Sequence, residues 1–462
     1  MNREDILSGK AGMVGIQQAL NGQSSRRLLR KEAQEMLRQG YRAGSFHLTR
    51  AKFKPERKLS AYFTFPALNT VDNSSHSVYL AVTWQKTLDG ADHADSQSQL
   101  QEEADQSGLM PVQKELWRNI IEQGIKLQVW PLDIKFPQLV RLGNPSYVAA
   151  MFASLGIAPD LKRLPVVTPI RYRPAERHVL RYEISSHKQE QRLYAKPYSS
   201  AQDAARAFGV ANRVVDWLAA NGGGLQGIRP AAISQEDSAI IYPHAPGIPL
   251  SHQLHRSRRW VATQLQTIGR GLSILHNGPA SLQADIKQNN FINEAKVVKR
   301  ASEHIQVLLP ETYDKILEIV DKAQTRYSNL PQEEPTFTHA DFKSDHLLTT
   351  PQGLTLIDFD TCTLTDPALD LGKFLADLEW WFTLKGISRV EEAQAELLKG
   401  YLGEGKPNQS INERLVRANL FYVLILTKIV VRRVPIFRKE WASMTERMIE
   451  RAAKVLDKAV EV

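Results

Sequence analysis

Apolar and polar residues alternate over 170–184 and again over 192–198, on either side of a polar turn, and this period of two predicts a pair of β-strands. A further strand-like stretch starts at 239 and runs into Pro243-His244-Ala245-Pro246-Gly247-Ile248-Pro249-Leu250, where proline and glycine interrupt regular structure. Elsewhere the apolar positions recur with the helical period. They predict helices over 147–155, 201–220, 371–384, 390–402, 411–434 and 440–460.

Part of this pattern occurs twice. Lys54-Pro55-Glu56-Arg57-Lys58, then Tyr62, then Tyr79-Leu80-Ala81-Val82-Thr83-Trp84, parallels Arg173-Pro174-Ala175-Glu176-Arg177-His178, then Tyr182, then Leu193-Tyr194-Ala195-Lys196-Pro197-Tyr198, with a one-residue shift. The first copy reads as a duplicated hairpin in which Val82 stands where the second has Lys196, so it lacks that lysine. A capping or substrate-recognition role is the expectation for that region. Between the copies, 88–108 is rich in Asp, Gln, Ser and Glu and reads as a flexible loop or a mobile helix.

Composition narrows the class. A chain of 462 residues that is 42% hydrophobic and 24% charged can bury more than one core, and two or three domains are expected. Its longest apolar run, 420–427, is stopped by Lys428 and followed by Arg432-Arg433, well short of the roughly 20 residues that cross a bilayer. The charged opening Met1-Asn2-Arg3-Glu4-Asp5 lacks the apolar core of a secretory leader. The single cysteine, Cys362, excludes an intramolecular disulfide and suits a reducing cytoplasm; without a second thiol or a triad partner nearby it reads as packing. The formal charge of +9, with Arg432, Arg433, Arg438 and Lys439 clustered, fits a solvated face or a patch drawing in ATP at least as well as nucleic acid or acidic lipid. No nucleic-acid module accompanies it, so nucleic acid is not the expected partner.

The chemistry concentrates in 339–360. His339-Ala340-Asp341-Phe342-Lys343-Ser344-Asp345-His346 is followed by an apolar hairpin and Ile357-Asp358-Phe359-Asp360, which sets two aspartates on two short loops. Phosphoryl transfer needs that arrangement: one carboxylate to face the nucleophilic hydroxyl, another to carry a divalent cation beside the phosphates. Asp341 suits the first role and Asp358 the second. Lys343 points to the side of Asp341 in an extended loop and could neutralise the moving phosphoryl group.

These residues carry a resemblance. His-x-Asp-x-Lys followed by Ile-Asp-Phe-Asp resembles a kinase catalytic loop and its D-F-G metal site. It is most similar to the aminoglycoside phosphotransferase and choline kinase family, which shows His-Gly-Asp, an Asn five residues on, Ile-Asp-Trp or Ile-Asp-Phe, and Gly-Asp-Pro-x-x-Asp-Leu; here the last is Thr365-Asp366-Pro367-Ala368-Leu369-Asp370-Leu371. The resemblance implies an α+β, two-lobed protein-kinase-like fold over about 165–385, with a small antiparallel-sheet N-lobe and a helical C-lobe. It divides the chain into an N-terminal α/β extension or cap (1–145), an N-lobe with hinge (146–250) and a C-lobe carrying the catalytic and metal loops (251–462). It further implies ATP and Mg²⁺ as cofactors and a small polar hydroxyl acceptor: a sugar, an amino alcohol or an aminoglycoside-like molecule.

By the same resemblance Lys196 takes the place of the strand lysine that holds the α- and β-phosphates. The alternative is a solvent-facing lysine on an edge strand, since Pro197 cannot donate to a ladder. No glycine-rich loop joins these strands, so backbone amides or Arg177 are left to contact phosphate. The segment with Tyr242 and His244 is placed like the hinge that receives adenine, or is an ordinary interdomain loop. The helix after Lys196 offers Asp203 as its only early acid. On the C-terminal helices, Asp377, Glu379, Trp380 and Trp381 could contact the acceptor, core packing being the alternative for the two tryptophans.

Departures from the pattern are few. Ala340 replaces a glycine and costs little if its φ is negative. His346 replaces the asparagine that ligates metal, and because Mg²⁺ prefers oxygen, His346 is either a ligand or a structural residue, with Asp345 or water completing the site. Gln283-Ala284-Asp285-Ile286-Lys287-Gln288-Asn289-Asn290 imitates the loop, yet no apolar strand leads from it to a second aspartate. With His346, the absent glycine-rich loop and no visible lysine–glutamate pair, the rival to a small-molecule kinase is a nucleotide-binding pseudokinase with a regulatory role.

Overall fold

The computed structural model describes residues 3–87, 94–158, 161–185, 190–403 and 409–460. The chain divides into two compact units, the first of Met1–Ala204, Ala231–His244 and Pro435–Trp441, the second of Ala205–Pro230, Ala245–Val434 and Ala442–Val462.

In the first unit two antiparallel sheets follow one another along the chain. Strands Tyr41–Ala43, His47–Lys54, Lys58–Asn69, Ser75–Gln85, Trp117–Ile120 and Ile125–Val129 form the first, with Lys58–Asn69 pairing both its predecessor and its successor. The second runs in the order Val166–Arg173, Arg177–Ser185, Glu190–Pro197, Ala239–Pro243, Ala232–Ser234. The alternation expected for 170–198 is realised. Leu180, Tyr182, Ile184, Leu193, Ala195 and Ile241 fill one face and pack on Phe136, Leu142, Val148 and Phe152. Each large side chain buried there contributes about 1.5–3 kcal/mol. The helix Pro145–Ser154 that supplies Val148 and Phe152 starts where Asn144 accepts hydrogen bonds from the Ser146 and Tyr147 amides, with proline at its first turn.

The duplicated hairpin is present in the backbone. Lys54 pairs Lys58 and Arg173 pairs Arg177 across three-residue turns whose middle residues, Glu56 and Ala175, have φ of 59° and 60°. Counting from the turns moves one assignment. Ser60 pairs Thr83, and the same register in the second copy brings Val179 opposite Lys196, so Thr83 rather than Val82 occupies the lysine's place. The stretch rich in Asp, Gln and Ser is helical over Ala94–Gln106, with Gln97, Leu100 and Ala104 buried; 88–93 lie outside the described residues.

The second unit is mainly helical. The predicted helices appear as Ala368–Lys385, Val390–Leu402, Gln409–Arg433 and Trp441–Val460, beside Arg258–His276, Phe291–Ala301 and Pro310–Ser328. Ala368–Lys385 lies directly against Gln409–Arg433 because Gly372 has no side chain: a Cβ there would come within 2.5 Å of the Ala418 carbonyl oxygen. A short sheet holds Leu225–Gly227, Gly353–Leu356, Leu347–Thr350 and Ile248–Pro249, and Thr336–Thr338 pairs Thr363–Thr365. Gln409–Arg433 buries the apolar run 420–427, and no described helix is long and apolar enough to cross a membrane.

Candidate functional site

Two hairpins bring the two aspartates together. The loop 339–346 leaves the strand Thr336–Thr338 and enters Leu347–Thr350, while Asp358 follows Gly353–Leu356, which pairs with Leu347–Thr350. His339, fully buried, ties these loops: its Nε2 lies 3.2 Å from the Ile357 carbonyl oxygen and its Nδ1 accepts from the Asp341 amide at 3.3 Å. Thr361 donates its hydroxyl to the His339 carbonyl at 3.1 Å. Asp370, also fully buried, accepts from the His339 and Ala340 amides at 2.7 and 2.8 Å, so both carboxylate oxygens clamp the turn before Asp341. The turn needs that clamp. Ala340 has φ of 58°, so the negative φ that would have made its substitution for glycine cheap does not hold.

Asp341 sits among cations. Lys343 Nζ lies 2.6 Å from Oδ2 and Lys373 Nζ 2.7 Å from Oδ1. Burial opposes its charge, but Lys373, and Lys343 after it, hold the carboxyl well below the usual carboxylate range. Lys373 is the functional residue that sequence reasoning missed. It stands three residues past Asp370 on the same helix, a spacing that places both on one face, and a lysine one turn after the clamping aspartate was the available signal.

His346 faces both aspartates. Its Nδ1 lies 3.1 Å from the Asp341 carbonyl and its Nε2 3.4 Å from Asp358 Oδ2. Burial pushes its pKa down to about 3 against the pull of Asp358, so the ring is neutral. With the Nδ1 proton given to the carbonyl, the Nε2 lone pair looks at a carboxylate oxygen, and two acceptors facing each other fit a cation between them. Asp341, His346 and Asp358 can each offer one ligand atom within 4.8 Å of the others.

Residues 170–407, just over half of the chain, match the phosphotransferase enzyme family. The chain belongs to that family. Among solved structures, a choline kinase from Cryptosporidium parvum Iowa II is 12% identical, with 68% of this chain covering 96% of that one at a TM-score of 0.50. A spectinomycin phosphotransferase in complex with ADP and spectinomycin is 11% identical over 69% of this chain and 98% of its own, TM-score 0.45, and a Plasmodium vivax ethanolamine kinase is 10% identical over 64% and 84%, TM-score 0.43. No curated protein matches in sequence. The fold is protein-kinase-like.

The nucleotide-side residues expected of a phosphotransferase share one face of the second sheet. Lys196 pairs Ile240 and Tyr194 pairs Tyr242, and alternation sets these four opposite the buried Ala195 and Ile241; Arg177, by the same parity, is on their side. His244 stacks on Tyr194 with ring centroids 6.0 Å apart. Glu190–Pro197 is the middle strand of five, which removes the edge-strand reading of Lys196. Asp203 exchanges hydrogen bonds with Ser200 at the start of the helix Ala201–Asn221, as a cap does.

Two expected acceptor contacts are corrected. Asp377 is fully buried, accepts from the Ser344 amide and hydroxyl, and meets Arg433, so it braces the catalytic loop. Glu379 is held by Tyr422 and Arg451 inside the helical core. Neither is exposed to a ligand, because helical polar residues that pair with buried partners turn inward. Trp380 is buried, as core packing requires. Burial, with Asp370 next, pushes the Cys362 thiol well up, which keeps it protonated and agrees with packing.

Proposed function

We propose that this phosphotransferase moves the γ-phosphoryl group of ATP to a hydroxyl of a small polar molecule. The observation that carries the reading is the convergence of Asp341, His346 and Asp358 on one point, with Lys343 beside them. Asp341 orients the acceptor hydroxyl and takes its proton as the new O–P bond forms and the β–γ bridging bond breaks, releasing ADP. Lys343 neutralises charge on the moving phosphoryl group. Asp358 and His346 would hold Mg²⁺, which supplies charge neutralisation at the β- and γ-phosphates when bound. Lys196 holds the triphosphate, Arg177 assists from the hairpin turn, and the segment of Tyr242 and His244 receives the base.

The test is Mg²⁺-dependent ATP consumption by the purified chain with a panel of sugars, amino alcohols and aminoglycosides. Turnover that depends on an acceptor supports the reading. Lysines on both Asp341 oxygens favour the rival, a nucleotide-binding protein without turnover, and tight ATP binding with no acceptor consumed would decide for it.

A further inference from the structure

The hairpin turn that carries Arg177 has its backbone donors committed over 174–176. Pro174 has no N–H, the Glu176 amide donates to the Arg173 carbonyl at 2.9 Å, and the Ala175 amide donates to Asp133 Oδ2 at 2.7 Å. These residues therefore cannot cradle phosphate with main-chain amides as a glycine-rich loop does, and the holding falls to side chains. Arg177 is the one at that place, on the face shared with Lys196.

The opposite side of the hairpin is gripped by the loop 130–138, between the strand Ile125–Val129 and the helix Leu139–Gly143 and ahead of the family-matched region. His178, fully buried, donates from Nε2 to the same Asp133 Oδ2 at 2.7 Å. Its ring packs on Phe136 and Tyr172, with centroids 4.9 and 5.5 Å away. Asp133 Oδ1 accepts from the Lys135 amide at 3.0 Å, and Tyr172 donates its hydroxyl to the Leu132 carbonyl at 2.6 Å. One buried carboxylate thus pins the chain at 175 and at 178, on either side of Arg177. The duplicate hairpin shows how little the turn alone requires. Its middle residue, Glu56, has the same left-handed φ, its amide donates to the Leu7 carbonyl at 2.8 Å, and Leu59 stands where the second copy has His178. A backbone carbonyl and a leucine hold that copy, whereas burying a carboxylate with an imidazole is costly unless both are paired.

We propose that Asp133 is a positioning residue for nucleotide binding: by fixing the Ala175 amide and His178 it holds the hairpin so that the Arg177 guanidinium meets the β- and γ-phosphates, in place of a glycine-rich loop. The inference rests on the nucleotide half of the phosphotransfer reading and adds to it a residue from outside the family-matched region. A turn fixed before the nucleotide arrives gives up little conformational freedom on binding, so the charge-assisted bonds from arginine to phosphate count in full.

Calorimetry on the full chain with Mg²⁺ tests this, comparing AMP with a non-hydrolysable ATP analogue. Asp133→Ala should weaken the analogue about tenfold and leave AMP within about twofold, because only the analogue carries the phosphates that Arg177 meets. A merely structural role would weaken both alike. Since Asp133→Ala leaves the Ala175 amide and the His178 ring without an acceptor and can fail to fold, Asp133→Asn, which keeps the shape and one acceptor oxygen, serves beside it and should show a smaller loss in the same direction. The double variant of Asp133→Asn with Arg177→Met should bind the analogue no more weakly than Arg177→Met alone, since Asp133 acts through Arg177. Equal losses for AMP and the analogue, an unchanged analogue affinity in a folded variant, or additive losses in the double variant overturn the inference while leaving phosphotransfer standing. A selective loss in a chain that consumes no acceptor leaves the inference standing and sinks phosphotransfer, and a wild-type chain that does not bind the analogue overturns both.

Discussion

Residues 283–287 and 339–343 carry aspartate and lysine at the same spacing, and both loops turn with one residue at positive φ, Asp285 at 57° in the first and Ala340 at 58° in the second. Their surroundings differ. The Lys287 carbonyl accepts from the Leu364 amide and the Thr363 hydroxyl, and the Asn289 amide donates to Leu364, so the first loop serves as an extra edge for the strand Thr363–Thr365. Asp285 itself is exposed. In the second loop the backbone is clamped by Asp370, and Asp341 is pressed between two lysines and an imidazole. Spacing is common to both; a buried shell that fixes the carboxylate and supplies counter-charge is not.

The sharpest way to break this comparison is to neutralise each aspartate. Asp341→Asn should lower turnover by about 10²- to 10⁴-fold, the usual contribution of a positioned general base, whereas Asp285→Asn should leave it within about twofold. Steady-state ADP release measures both. Equal losses, or a larger loss at Asp285, would mean that the wrong loop has been given the chemistry.

Removing the clamp is the next largest effect. Asp370→Ala leaves the His339 and Ala340 amides buried without an acceptor and should cost about 3 kcal/mol, read from denaturant unfolding, together with most of the turnover. Asp370→Asn retains one acceptor oxygen and should fall between wild type and alanine. If alanine leaves stability untouched, the turn is held by something other than Asp370.

How much of this could be read along the chain follows from where each partner lies. Asp341, Lys343, His346 and Asp358 fall within twenty residues, so one loop, one hairpin and the demands of phosphoryl transfer were enough to group them. The strands around Lys196 were legible because a half-buried strand must alternate. Lys373, Glu294 and Lys428 were not, because their ion pairs form only when helices and loops far apart in sequence pack, and Gly372 permits one of those approaches. Asp377 and Glu379 were misread for a related reason: a helical carboxylate looks solvated until its arginine, 56 or 72 residues away, is known. The sign of φ at Ala340 is equally silent, since alanine adopts either sign under sufficient constraint.

A smaller effect sharpens the same contrast. Ala340→Gly removes the left-handed strain that the clamp now sustains, and should stabilise the protein by roughly 1 kcal/mol, partly offset by the greater freedom of glycine in the unfolded chain. Ala284, which holds the matching place before Asp285, is absent from the positive-φ residues, so Ala284→Gly should be neutral or slightly destabilising. Thermal unfolding of the two variants side by side reads the difference, and a gain at Ala284 equal to that at Ala340 would contradict it.

The last effect is confined to high pH and lies in the buried ion pair of Lys428 with Glu294. Lys428 titrates at about 8 in the folded protein, below the ordinary 10.5 of an unfolded lysine. Below pH 8 both states hold the proton and stability does not vary with pH through this group. Between about 8 and 10.5 the unfolded state keeps the proton while the folded state has lost it, so raising pH stabilises the fold. Other lysines and tyrosines titrate in the same window, and subtracting the curve of Lys428→Met isolates this one. The wild-type minus variant difference in unfolding free energy should therefore be flat to pH 8 and grow in favour of wild type toward pH 10. A difference that stays flat throughout would show that Glu294 offsets the burial of the Lys428 ammonium fully.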